Sequence, residues 1–167
     1  MSVALASARV RLRRYEPADA VACHAVLVDA STVEDGMNEA ARALATGWHT
    51  VDAMAAEFEP HFSLVAEVGG EIRGVGCLKD GLIKRLYVTP SFHRLGIGRA
   101  IVTALEEEAR RGGVEVLRVD SAPVSVAFYE RLGFRRIRPD AWIRGDAVFE
   151  YVVMDKPLAV TSSPAGS

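Results

Sequence analysis

The chain has 167 residues, half of them hydrophobic and a quarter charged, with a net charge of −2. That is enough sequence for one globular domain with a core that needs no disulfides, and the near-neutral charge argues against a general nucleic-acid binder. No apolar run approaches the roughly 20 residues of a membrane-spanning helix. The two cysteines, Cys23 and Cys77, form no CxxC pair. The basic residues near the start follow the short apolar stretch instead of preceding it, so the beginning does not read as a secretory signal. A cytoplasmic protein with free thiols is the expectation.

Along the chain, Ala8–Tyr15 alternates apolar and arginine positions and predicts a half-buried strand, stopped by Glu16-Pro17. Asp19 opens a run with helical spacing at Val21, Ala25 and Val28. Asn38–Ala45 reads as a helix stopped by Gly47, and Val51–Phe58 as another. Phe62–Val68, Glu71–Lys79 and Leu82–Val88 read as three strands joined by the tight turns Gly69-Gly70 and Asp80-Gly81. A long amphipathic helix follows, with Ile97, Ile101, Ala104, Leu105 and Ala109 on one face and Glu106, Glu107, Arg110 and Arg111 on the other, ending at Gly112-Gly113. Val114–Val119 is then a strand, Pro123–Leu132 a short helix, Phe134–Ile137 a strand, and Ala147–Met154 the closing strand. The expectation is one mixed α/β domain over residues 1–156, with an antiparallel meander at its centre, and a disordered tail over 157–167.

The segment with the most chemical content is Leu86-Tyr-Val-Thr-Pro-Ser-Phe-His-Arg-Leu-Gly-Ile-Gly-Arg-Ala100. It runs from strand to proline stop, loop and helix start. Such a loop leaves backbone N–H groups unpaired at the positive end of the helix dipole. Gly96 and Gly98 carry no side chain to block close approach, and Arg94 and Arg99 add positive charge, which together suits a pyrophosphate. A Walker A loop is excluded, because no lysine precedes a serine or threonine here. The dinucleotide fingerprint GxGxxG requires glycine or alanine where Ile101 stands, although Asp120 lies at the spacing of its ribose partner. A nucleotide-phosphate binder on another fold is therefore disfavoured.

His93-Arg-Leu-Gly-Ile-Gly98, following Leu-Tyr-Val-Thr-Pro, resembles the coenzyme A loop of the Gcn5-related N-acetyltransferase (GNAT) superfamily, with His93 where that loop usually has Gln or Arg. About thirty residues on, Ser121-Ala-Pro-Val-Ser-Val-Ala-Phe-Tyr-Glu-Arg-Leu-Gly-Phe134 is similar to the family's later helix. The resemblance covers Phe62–Met154 and fits the first sixty residues only loosely. It implies a central, mixed, mostly antiparallel twisted sheet flanked by helices. It also implies direct transfer of an acetyl group from acetyl-CoA to an amine of a small molecule or peptide, with no metal. The family's splayed parallel strands would be Leu82–Val88 and Val114–Val119. Backbone groups of Leu86, Tyr87 and Val88 would pair with pantetheine and support the thioester oxyanion, and the loop His93, Arg94, Leu95, Gly96, Ile97, Gly98, Arg99 would hold the pyrophosphate. Tyr129 would protonate the departing thiolate. A domain that binds acyl-CoA without catalysis is the alternative, and homodimers are common in the family.

The general base is open. Glu67, Asp80 and Asp120 stand near strand ends, His49 and His61 are further candidates, and Leu82–Val88 contains no glutamate. Substrate choice is expected in Asp29–Glu59 and in a loop at Pro139–Asp146. Trp48 and Trp142 are expected to pack, Arg9, Arg11, Arg13 and Arg14 to form a solvated strand face, and the two cysteines to be buried and inert.

Overall fold

A computed structural model of the chain describes residues 9–159. Seven strands form one sheet in the order β1-β2-β3-β4-β5-β7-β6. They are β1 (Val10–Arg14), β2 (Phe62–Val68), β3 (Glu71–Lys79), β4 (Leu82–Val88), β5 (Val116–Ser121), β6 (Arg135–Arg144) and β7 (Ala147–Pro157). Every neighbouring pair is antiparallel except β4 and β5. The helices are α1 (Ala20–Ser31), α2 (Glu39–Trp48), α3 (Val51–Phe58), α4 (Ile97–Arg111) and α5 (Val126–Arg131). None of the described helices is long and apolar enough to cross a membrane.

Each face of the sheet has its own core. On one, Ile97, Ile101, Leu105 and Ala109 of α4 pack with Leu64, Ala66, Ile83, Leu117 and Met154. On the other, Cys23 and Leu27 of α1 and Met54 and Phe58 of α3 pack on Val65, Val75 and Cys77. The first layer is unusually close because β3 presents glycines to α4. A Cβ on Gly74 would lie 2.5 Å from the Ile97 side chain, and one on Gly76 2.6 Å from Ile101.

Several expectations shift at their edges. The strand expected from Ala8 begins at Val10, and Ala8 lies outside the described residues. Gly47 does not stop α2; the helix continues to Trp48, with Asn38 as its N-cap accepting from the Ala41 N–H. The strand placed at Val114–Val119 runs from Val116 to Ser121. The strand expected over Phe134–Ile137 is ten residues long, so the substrate loop expected at Pro139–Asp146 is mostly strand β6. Proline at 139 is tolerated there because β6 pairs on one side only. The last strand reaches Pro157, and Leu158 is buried with its N–H donating to the Glu115 carbonyl. The expected tail therefore cannot begin before residue 159, and 160–167 lie outside the described residues.

Two charge assignments also change. Glu106, expected on the solvent face of α4, is buried, because Lys156 reaches over from β7 to within 2.6 Å and Arg110 pairs with it at 3.1 Å. Arg13 is not a solvated face residue. Its guanidinium takes Asp19 in two hydrogen bonds, 2.7 and 2.8 Å, and Glu67 in a third at 2.9 Å. Such bidentate geometry ties the first strand to the start of α1. It also holds the Asp19 carboxyl below the usual carboxylate range.

Candidate functional site

The parallel pair β4 and β5 is joined at two positions only, Leu82 with Arg118 and Ile83 with Val119. Beyond them the strands separate. Lys84–Val88 of β4 have no partner on β5, while β4 stays tied to β3 through Val75–Tyr87 and Gly74–Val88. The sheet therefore opens into a gap flanked by unpaired strand edges, with Asp120 and Ser121 on its far side.

At the mouth of the gap the chain makes a short 3-10 turn, Pro90–Phe92, and enters α4 through the expected loop. The imidazole Nε2 of His93 lies 3.1 Å from the Val88 carbonyl, fastening the loop to the end of β4. Arg94 and Gly96 both take left-handed backbone angles, φ +69° and +77°. No side chain caps α4, and among the described residues the N–H groups of Gly96–Arg99 have no backbone acceptor. Such free donors at a helix start, with the exposed arginines 94 and 99 in the same segment, suit an anion. The two glycines serve different ends. A Cβ on Gly96 would meet nothing within 4 Å, so this position is open to a ligand, whereas one on Gly98 would lie 3.1 Å from the Phe128 ring. Gly98 is where the glycine loop and the second motif touch.

Tyr129 follows Phe128 on α5. Its ring is buried, edge-on to Phe128 at 5.0 Å and to Phe134 at 5.4 Å. Burial pushes its hydroxyl well above the ordinary tyrosine range, with Tyr87 and Glu34 adding to the rise. Burial also pushes Tyr87 up to about 12, and Glu34 is again its leading charged neighbour. Tyr129, buried, and Tyr87 and Glu34, both half-buried, are thus near enough to one another for their charges to interact. The Glu34 carboxyl is itself raised, chiefly by burial.

Glu34 was not among the base candidates drawn from sequence. It sits in a strap, residues 33–38, that crosses from α1 to α2. Asp35 accepts from the Val124 N–H at 2.8 Å, Gly36 accepts from the Glu150 N–H at 2.7 Å, and Asn38 bonds Val148 and Asp146. The strap is fastened to the turn before α5 and to β7, and Glu34 lies within reach of the charge fields of Tyr87 and Tyr129. The sequence candidates are placed otherwise. Glu67 is held by Arg13 and Arg11 at the β1–β2 edge. Asp80 is in the β3–β4 turn at the closed end of the gap. His61 binds the Glu57 carbonyl through Nδ1 at 2.7 Å. His49 is half-buried, its pKa lowered by that burial, and its carbonyl is taken by His24. Asp120 alone borders the gap, at the surface beside Arg118.

A second missed feature is the pair Lys84-Arg85. Gly76 of β3 opposes both Arg85 and Leu86, a β-bulge, and Arg85 has φ +54°. Both cations reach Glu57 of α3: Lys84 Nζ at 2.7 Å and Arg85 Nε at 2.7 Å. Two consecutive charges inside an apolar strand were the visible signal. Trp48 and Trp142 lie against each other at 5.1 Å and against Phe149, both rings remaining exposed at the surface. Cys23 and Cys77 are buried, and burial pushes the Cys23 thiol up to about 12.

These buried acids set an alkaline limit. Tyr15, Tyr87, Tyr129, Cys23 and Cys77 all have folded pKa values above their ordinary ones. Between about pH 8.5, where free thiols ionise, and pH 12 the unfolded chain releases protons that the folded chain keeps, so stability falls as pH rises. Melting temperature measured under reducing conditions should decline steadily from pH 8.5 to 11. A flat profile would contradict these burial assignments.

Residues 32–154 match a family described as an acetyltransferase (GNAT) domain. A glucosamine 6-phosphate N-acetyltransferase from Trypanosoma brucei brucei is 40% identical over 63 residues, 38% of this chain and 40% of that protein. A mycothiol acetyltransferase from Corynebacterium efficiens is 31% identical over 123 residues, 68% of this chain and 39% of that protein. The matches span half or less of these curated relatives' length. Among solved structures, a Gcn5-related N-acetyltransferase from Rhodopseudomonas palustris superposes with a TM-score of 0.80 at 25% identity, covering 89% of this chain and 95% of that one. An N-acetyltransferase from Thermoplasma acidophilum in complex with coenzyme A shares the fold, with a TM-score of 0.70 at 15% identity over 90% of this chain and 99% of that one.

Proposed function

The chain belongs to the GNAT acetyltransferase family, and from that we propose that it transfers the acetyl group of acetyl-CoA directly to an amine of a small molecule or peptide. The observation that carries this reading is the gap between β4 and β5, with the uncapped start of α4 at its mouth. A pantetheine arm laid in the gap pairs with the free backbone of Leu86–Val88, and the pyrophosphate lies over Gly96 against the N–H groups up to Arg99. The coenzyme A complex of the Thermoplasma neighbour supports the co-substrate. The acetyltransferase names of the matched relatives lend no support to a binding-only role. Buried free thiols suit a reducing cytoplasm.

In this mechanism a strand N–H at the gap stabilises the thioester oxygen as charge develops, a contribution of about 2.7–4 kcal/mol in comparable sites. The amine attacks the carbonyl carbon, and no acyl-enzyme forms. Tyr129 holds its proton at every working pH because burial favours the neutral phenol, and it donates that proton to the departing sulfur as the C–S bond breaks. Glu34 takes the amine proton through water; its raised pKa brings it closer to the range where a base is effective.

Thermal unfolding with and without acetyl-CoA, with ATP and NAD as controls, tests the co-substrate. At a hundred times Kd the ligand adds about 2.7 kcal/mol, a rise of roughly 5–11 °C for a chain of this length. A shift with acetyl-CoA alone is the expected result. No shift at millimolar concentration would reduce the glycine loop to a turn and remove the transferase reading.

A further inference from the structure

We propose that Arg85 is an acceptor-binding residue, and that the acceptor amine carries an oxyanion, a carboxylate or a phosphate, which the guanidinium of Arg85 grips. This inference rests on the transferase reading above and names the class of amine.

A regular strand sends consecutive side chains to opposite faces. Lys84, opposite Cys77, faces α1 and α3; continued alternation would send Arg85 under α4, among Ile101 and Leu105. The bulge at Gly76 prevents that. It returns Arg85 to the face of Lys84, where both reach Glu57. Bulges next to functional sites commonly re-aim a side chain in this way. The left-handed backbone at Arg85 is a conformation that glycine adopts freely and an arginine adopts at a cost. Structure alone would be served by glycine here, so the side chain is what the position supplies.

Glu57 accepts from Nε at 2.7 Å, and the Tyr87 hydroxyl lies close enough to pair with the guanidinium as well; neither partner takes both Nη nitrogens together. Their outer edge is the fork that matches a carboxylate or phosphate with two parallel hydrogen bonds. The side chain is about one quarter exposed, which leaves a path for a ligand. Its surroundings are those of the reaction. Tyr87, two residues on, and Glu34 in the strap both sense its charge, and Leu86, the next residue, begins the backbone that would hold the thioester. Glu57 cannot satisfy the local cations alone, because its two oxygens are already divided between Lys84 and Arg85. Glu34, Asp35 and Arg42 are the other charged groups near this corner, and the half-buried His49 also feels the Arg85 charge.

Matched acceptor pairs test the proposal by thiol release from acetyl-CoA: each standard amino acid against its α-carboxamide, and glucosamine 6-phosphate against glucosamine. The wild type should favour the anionic member of at least one kind of pair by about tenfold or more in kcat/KM, the worth of a charge-assisted hydrogen bond. The kind of pair preferred separates carboxylate from phosphate. Arg85→Gly suits the backbone angle and so preserves the fold; it should bring the pair to parity through KM while the acetyl-CoA thermal shift persists. Arg85→Lys should restore part of the preference. Parity in the wild type, or a preference that survives in Arg85→Gly, overturns the proposal and leaves the transferase reading intact. Absence of both the acetyl-CoA shift and thiol release with every amine overturns the transferase reading and this inference with it.

Discussion

Replacing Tyr129 by phenylalanine is expected to lower kcat by about a hundredfold or more, with little change in the KM for acetyl-CoA. The magnitude is that of a positioned general acid, typically 10²–10⁴-fold. The selectivity for kcat follows from placement. The ring is fixed by Phe128 and Phe134, contacts a phenylalanine keeps, so the coenzyme slot should survive. In the proposed mechanism what would be lost is a proton needed only when sulfur leaves. A thiol has a pKa near 8.5 and a phenol one near 10, so transfer is uphill even before burial raises it further. The proton must therefore move in concert with bond cleavage, and the loss should be smallest with thioesters whose thiols are more acidic. Steady-state kinetics with acetyl-CoA and an activated acetyl thioester will measure this. Equal kcat for Tyr129→Phe and wild type would assign the tyrosine to packing.

The second large effect is structural. Gly76→Val is expected to destabilise the protein by about 3 kcal/mol and to weaken coenzyme binding more than that loss alone explains. A new Cβ would stand 2.6 Å from Ile101 and 3.3 Å from Leu86, and overpacking of this kind costs about 1–3 kcal/mol or more. Valine's better strand propensity returns at most about 1 kcal/mol, so the clash dominates. At roughly 2–4 °C per kcal/mol the melting temperature should fall by about 6–12 °C. The functional excess arises because the two displaced residues belong to the site's own frame. Leu86 opens the free edge of β4, and Ile101 sits one turn into the helix whose start suits an anion. Gly70→Ala is the control: it lies in the β2–β3 turn with open space around it and should cost only its backbone strain. Equal melting temperatures for Gly76→Val and wild type would mean that α4 can lift from the sheet without penalty.

What the sequence disclosed follows how local each determinant is. The bounds of β2, β3 and β4 are visible because Gly69-Gly70 and Asp80-Gly81 adopt the positive-φ turns that such pairs favour. The start of α4 is visible because proline, glycines and helical periodicity occur together within fifteen residues. By contrast β6 is an edge strand with most of its residues exposed, so no alternation marks it, and its length is set by β7 alone. Glu106 misleads for the same reason, since its partner Lys156 is fifty residues away. In the site, the glycine loop and the Phe128-Tyr129 pair are legible as motifs. Glu34 and Arg85 are not. One depends on a strap tied to Val124 and Glu150, the other on a bulge, and both are products of tertiary contact.

The opening between β4 and β5 also bears on what kind of object the folded chain is. Two rungs, Leu82–Arg118 and Ile83–Val119, weld a four-stranded panel to a three-stranded one. Past that weld the panels part like the leaves of a book, and the missing rungs are the ones a pantetheine amide chain would supply. In that arrangement the co-substrate is a temporary eighth strand. In that reading the sheet would be whole only while the coenzyme is bound, and its release would return it to two panels and a short spine.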